Sequence, residues 1–135
     1  MMPAMSTDAI RDFLAGDRFA VVGASSDRRK FGNRVLRCYL QHGKEALPVN
    51  PKGEPIEGVE SYARLADLPA GVHGVSVITP PDVSERIVDE AHERGLTRVW
   101  FQPGAESREA IERARAHGMT VIAGGPCVLV ELPKQ

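Results

Sequence analysis

Short apolar runs alternate with segments of helical periodicity along nearly the whole chain, and this alternation constrains the fold more than any other feature. Phe19-Ala20-Val21-Val22, Ala46-Leu47-Pro48-Val49, Gly74 to Ile78, Thr97 to Phe101 and Met119 to Ile122 read as strands, the last of them central. Between them Phe31, Val35 and Tyr39 recur at i, i+4 and i+8 until Gly43. Val83, Ile87, Val88 and Ala91 follow Pro80-Pro81-Asp82 until Gly95. A further helix runs from about Glu106 to His117. A first helix, capped by Ser6 or Thr7 and carrying Ile10, Phe13 and Leu14, stops at Gly16 and covers one end of the sheet. Pro48 removes a ladder donor, which places it near a strand end or beside a weak neighbour, and Ile56 to Tyr62 is the expected neighbour. Strands joined through helices by short loops specify a doubly wound α/β fold. The expected sheet is mostly parallel, of five to six strands, with helices on both faces.

With 135 residues the chain fits one domain over 1–135, and a chain of this size buries roughly 65 to 70% of its extended surface. The formal net charge of -1 argues against nucleic acid and anionic membrane as partners. No apolar stretch approaches the roughly 20 residues of a membrane span. Met1 to Met5 lacks the charged start and apolar core of a secretory signal, so a cytoplasmic protein is expected. Cys38 and Cys127 are too few for a disulfide framework or a zinc site, and His42, His73, His92 and His117 have no paired ligand spacing. No metal is expected.

In doubly wound sheets ligands lie outside the carboxyl ends of the strands. Those ends carry Gly23-Ala24-Ser25-Ser26, Asn50-Pro51-Lys52, Thr79-Pro80-Pro81 and Gln102-Pro103-Gly104, four loops expected to converge on one crevice. The first loop, bounded by Gly23 and Gly32, joins small residues to the cations Arg28, Arg29 and Lys30. Small residues admit a bulky anion to the backbone, and the helix that follows offers unpaired N–H groups. The dinucleotide spacing GxGxxG is absent, and Lys52 stands where an acidic residue would bind a ribose hydroxyl. Lysine at that tip, presented by the rigid Pro51, suits a ribose phosphate, as in NADP or coenzyme A. Proline and glycine turns can wall a long apolar tail, with Gln102 supplying one amide contact.

Catalytic sets are missing from the pattern. Gly23-Ala24-Ser25-Ser26-Asp27 lacks the second glycine of a nucleophile elbow. Glu85, Asp89, Glu90 and Glu93 read as a solvated helix face, and Cys38 reads as core. Cys127 follows Gly124-Gly125-Pro126 on an irregular segment, where it is either structural or turned toward the crevice.

These motifs, taken in order, resemble the bacterial CoA-binding-domain family, small stand-alone proteins similar to the N-terminal domain of the succinyl-CoA synthetase alpha subunit. The likeness runs from Asp12 to Glu131. Its carriers are Val21-Val22-Gly23-Ala24-Ser25, Val49-Asn50-Pro51-Lys52, Val77-Ile78-Thr79-Pro80-Pro81, Val99-Trp100-Phe101-Gln102-Pro103-Gly104 and Gly125-Pro126-Cys127. The resemblance implies a Rossmann-like fold with coenzyme A as cofactor. It implies that Gly23 to Ser26 and Lys30 hold the phosphates, that Asn50 and Lys52 touch the adenosine end, and that Thr79 and Pro80 flank the nucleotide. Gln102-Pro103-Gly104 and Gly125-Pro126-Cys127 then lie toward the pantetheine. The synthetases carry Glu where Gln102 stands, and their phosphohistidine domain has no counterpart in this chain. The implied function is non-catalytic binding of coenzyme A or an acyl-CoA by a monomer or small homo-oligomer. An NADP-linked oxidoreductase or redox sensor in the same crevice, and a protein-interaction module, are the alternatives.

Overall fold

A computed structural model of the protein describes residues 6–135. Five strands, β1 (Arg18–Val22), β2 (Glu45–Val49), β3 (Gly74–Val77), β4 (Arg98–Phe101) and β5 (Thr120–Ile122), form one sheet in the order β2-β1-β3-β4-β5. Every pairing in it is parallel. The helices are α1 (Ser6–Leu14), α2 (Phe31–Gln41), α3 (Pro81–Glu93), α4 (Arg108–Ala116) and the short α5 (Val128–Glu131).

Period-two alternation on β1 divides the core. Phe19 and Val21 face a layer that holds Ile10 and Phe13 of α1, Val35, Leu36 and Tyr39 of α2, and Val128 of α5. Ala20 and Val22 face the opposite layer, with Ile87, Val88 and Ala91 of α3 and Ala110 and Ala114 of α4. Both faces of the sheet are thus covered, which is why its strands read as unbroken apolar runs. Phe19 stacks on Phe13 and on Tyr39 at centroid distances of 5.3 and 4.6 Å, and Phe13 meets Trp100 edge-on at 5.3 Å. Each such buried ring contributes about 1.5–3 kcal/mol.

Ile56 to Tyr62 is not a sixth strand. The Glu57-Gly58 pair, with φ of 52° and 75°, closes a tight reversal in which Ile56 and Val59 exchange backbone hydrogen bonds. Only Tyr62 then reaches the sheet, as a single bridge to Val49. Tyr62 N–H donates to the Pro48 carbonyl on the outer side of β2. In an extended strand the N and C=O of one residue point the same way, so the donor missing from Pro48 faces the sheet edge and leaves the ladder to β1 intact. Met119 to Ile122 is likewise not central, since β5 is the opposite edge. The helix expected from Glu106 begins at Arg108, capped by Ser107, whose Oγ accepts from Ala110 N–H at 3.0 Å. The cap expected at Ser6 or Thr7 falls at the border of the described residues, and α1 already includes both.

Two carboxylates of the acidic face of α3 are engaged, while Glu93 is exposed. Asp89 accepts from Arg113 at 2.8 Å and pairs with His117 at 3.0 Å, and Glu85 accepts from Ser107. The His117 and Arg113 contacts hold the Asp89 carboxyl below the usual carboxylate range. No helix among the described residues is long and apolar enough to cross a membrane.

One polar contact is sealed inside the core. Tyr39 Oη and Ser76 Oγ lie 2.6 Å apart, both residues fully buried, and burial pushes the tyrosine hydroxyl far above its ordinary pKa. Tyr39→Phe leaves the serine hydroxyl without a partner and is expected to destabilise the protein by about 1–3 kcal/mol. Combining it with Ser76→Ala removes the orphan, so urea unfolding of the double variant should recover part of that loss. A strictly additive pair would refute the contact.

Candidate functional site

Chain connections run outward from β1 to β2 and the other way from β3 to β4, so the crevice of this sheet lies at the carboxyl ends of β1 and β3. Two adjoining cavities open there. The first, of about 680 Å³, is lined by Gly23, Ala24, Ser25, Ser26, Lys30 and Gly32, by Asn50, Pro51 and Lys52, and by Thr79 and Pro80. The second, of about 570 Å³, shares Thr79 and Pro80 and adds Pro103, Gly104 and Cys127. Phe31 and Ile78 line both. Both volumes fall within the ~300–1,000 Å³ of small-molecule sites.

The first loop is locked between two elements. Gly23 has φ 95°, and a Cβ there would stand 2.5 Å from the Ile78 carbonyl oxygen. A Cβ on Gly32 would stand 2.2 Å from the Gly23 carbonyl oxygen, so α2 starts in direct backbone contact with the loop. Side chains then occupy the loop's carbonyls. Asn50 Nδ2 donates to Ala24 O at 2.8 Å, Asn33 Nδ2 to Ser25 O at 2.8 Å, and Arg37 Nη2 to Arg28 O at 3.0 Å. Within the loop, Ser25 Oγ accepts from Asp27 N–H and Asp27 Oδ1 from Arg29 N–H.

The donors are left differently. Among the described residues, the N–H groups of Ala24, Ser25 and Ser26, and of Phe31 and Gly32 at the start of α2, have no hydrogen-bond partner, and no side chain caps α2. Unpartnered amides beside a helix N-terminus form an anion-binding concavity. Lys30 and Lys52 supply exposed positive charge to its rim. Arg28 and Arg29, expected to add charge at the same place, are diverted. Arg28 pairs with Glu57 at 3.3 Å and Arg29 with Asp27 at 3.1 Å, and neither lines the cavity. Hydrogen bonds from Arg29 keep the Asp27 carboxyl below the usual carboxylate range.

The structure brings together the small residues of the first loop, Lys30, Gly32, the Asn50-Pro51-Lys52 tip, Thr79, Pro80, Pro103, Gly104 and Cys127, but not Arg28, Arg29 or Gln102. Gln102 is fully buried and lines neither cavity. Its Oε1 accepts from Val128 N–H at 2.9 Å, pinning the start of α5, and its Nε2 has no partner. Pro103 and Gly104 form a tight turn closed by Ala105 N–H on the Gln102 carbonyl, with φ of 93° at Gly104. Cys127 is half-buried at the mouth of the second cavity, whereas Cys38 lies in the core and burial raises its thiol pKa. Asn50 is a positioning residue, since Nδ2 holds Ala24 and Oδ1 accepts from Lys52 N–H at 2.8 Å.

Three contributors escaped the sequence reading. Asn33 is fully buried and joins Ser25, Glu57 and Arg37 through one amide. A polar residue on an otherwise apolar helix face was the available signal. Glu57 adopts a left-handed φ of 52° in the turn that brings its carboxylate to Asn33 and Arg28. Glu106 accepts from Gly104 N–H at 2.9 Å and Gly124 N–H at 3.3 Å, tying two strand-end loops together.

Comparison with known proteins adds a family. The model of a CoA binding domain matches residues 17–133. The chain is similar to the alpha subunit of the ADP-forming acetate–CoA ligase II of Pyrococcus furiosus, with 29% identity over 120 residues, covering 81% of this chain and 26% of that protein. It spans about a quarter or less of the length of the curated relatives it matches. Among solved structures, a hypothetical protein from Pyrococcus horikoshii OT3 superposes with a TM-score of 0.89 at 30% identity, covering 99% of this chain and 96% of that one. The dinucleotide-forming acetyl-coenzyme A synthetase 1 of Ca. Korarchaeum cryptofilum, in complex with phosphate and ADP, superposes with a TM-score of 0.71 at 28% identity, over 79% of this chain and 25% of that one.

Proposed function

The chain belongs to the CoA binding domain family, and from that premise we propose that it binds coenzyme A in the crevice at the carboxyl ends of β1, β2 and β3. The observation that carries this reading is the set of unpartnered N–H groups from Ala24 to Ser26 and at Phe31 and Gly32, with Lys30 and Lys52 at the rim. Their charge and geometry suit the diphosphate. Lys52 then meets the phosphate on the ribose, and the pantetheine arm runs past Phe31 and Thr79 toward Pro103 and Cys127. Binding occurs without a reaction on this chain. In support, among the described residues the first cavity has Glu54 as its one carboxylate, and neither histidine nor cysteine beside its serine and threonine hydroxyls.

Parallel calorimetric titrations with coenzyme A, dephospho-CoA and NADPH test the reading. Saturable binding of coenzyme A is expected, and binding of NADPH alone would replace the proposal with a nicotinamide site. Lys52→Ala should weaken coenzyme A about three- to tenfold, because an exposed charge-assisted contact is partly screened by solvent. Dephospho-CoA should lose less than about twofold, since it lacks the phosphate that Lys52 reads. Equal losses for the two ligands would remove Lys52 from that role.

A further inference from the structure

The two halves of the crevice differ in chemistry. Lys30 and Lys52 face the first cavity, whereas among the described residues no cation lines the second. Among the described residues, Thr79 and Cys127 carry the only polar side-chain atoms there, and Thr79 Oγ1 is already engaged with Ser84 Oγ at 2.8 Å. Glu106 holds Gly104 N–H, on a residue that lines this half, and Gly124 N–H on its two carboxylate oxygens. Phe31, Ile78 and Pro80 run through both halves, so a ligand anchored by phosphates in the first lays its far end in the second.

We propose that the second cavity is an acyl subsite, which takes neutral, apolar acyl thioesters of coenzyme A and rejects dicarboxylic ones. The proposal rests on the coenzyme A reading above and adds the class of group at the sulfur. A terminal carboxylate would lose water against proline, isoleucine and alanine surface with no cation there to replace it. An alkyl chain meets matching surface instead. Each buried methylene strengthens binding by up to about fourfold.

Butyryl-CoA and succinyl-CoA test this directly, because their acyl chains are equal in length and differ in a terminal methyl against a carboxylate. Titrated by calorimetry beside free coenzyme A, butyryl-CoA is expected to bind at least about tenfold more tightly than succinyl-CoA. It should also bind no more weakly than coenzyme A itself. Equal affinities, or a preference for succinyl-CoA, would overturn the acyl subsite while coenzyme A binding stood. Silence from all three compounds would overturn both readings together. A variant supplies the converse. Pro103→Lys sets a cation at the exposed rim of the second cavity, and the butyryl-to-succinyl ratio should narrow severalfold. A ratio unchanged from the parent protein would place the acyl group elsewhere and refute the assignment.

Discussion

Gly32→Ala is expected to lower stability by about 1–3 kcal/mol and to weaken coenzyme A binding in the same protein. In most helices this exchange is favourable, since alanine has the higher helix propensity. Here the added methyl would stand 2.2 Å from the Gly23 carbonyl oxygen and 3.2 Å from Ala24 Cα. Both contacts are backbone, so no side chain can swing away. Gly23 cannot retreat either, because its N–H is bonded to Val49 O and its other side abuts the Ile78 carbonyl. The start of α2 must therefore lift from the loop, spreading the N–H groups that line the first cavity. Thermal unfolding should show a midpoint roughly 3–15 °C lower. Gly43→Ala is the control: it meets nothing within 4 Å and carries only the strain of its positive φ. A Gly32 variant that melts and binds like the parent would refute the close contact.

Trp100→Ala should have the largest effect on stability, about 3–5 kcal/mol. The indole is fully buried, contacts Phe13 edge-on, and donates from Nε1 to Pro126 O at 3.0 Å. Against a total of about 5–15 kcal/mol for an ordinary domain, that loss leaves a protein close to unfolding. Trp100→Phe separates the two contributions. It keeps a ring against Phe13 but strands the Pro126 carbonyl, at a cost of about 1–3 kcal/mol. Urea midpoints for the two variants read the difference. Because Pro126 precedes Cys127, the phenylalanine variant should also loosen the mouth of the second cavity, raising the rate at which a thiol reagent labels Cys127. An unchanged labelling rate would show that the indole supports the core alone.

How far the chain could be read in advance depended on the range of the interaction involved. The strand at Gly74 and the helix from Pro81 to Glu93 were marked by local apolar runs, proline at the helix start and glycine at its end. Ile56 to Tyr62 was misread because a single Glu57-Gly58 reversal turns an apolar segment back on itself. Glutamate is rarely found at positive φ, so composition gave little warning. The same limit applies to the site. Strand ends with Gly23, Lys52, Thr79 and Gly104 were visible as loops, and parallel topology carries all strand ends to one side. Gln102 belonged to the same motif, yet its side chain turns inward to Val128, a residue 26 positions away.

From the order of residues alone followed a parallel α/β sheet covered on both faces, and a crevice at its carboxyl edge. Those features arise from periods of two and 3.6 residues and from local turn chemistry, repeated along the chain until the pattern is redundant. Which groups are free to meet a ligand was settled by folding. Arg28 is drawn to Glu57, Arg29 to Asp27 and Gln102 to Val128, while Lys30 and Lys52 remain at the crevice. A polar side chain bonds to whichever partner lies within about 3 Å. Two of those three partners are distant in the chain, and their nearness exists only once the sheet, the Glu57 turn and α5 have come together.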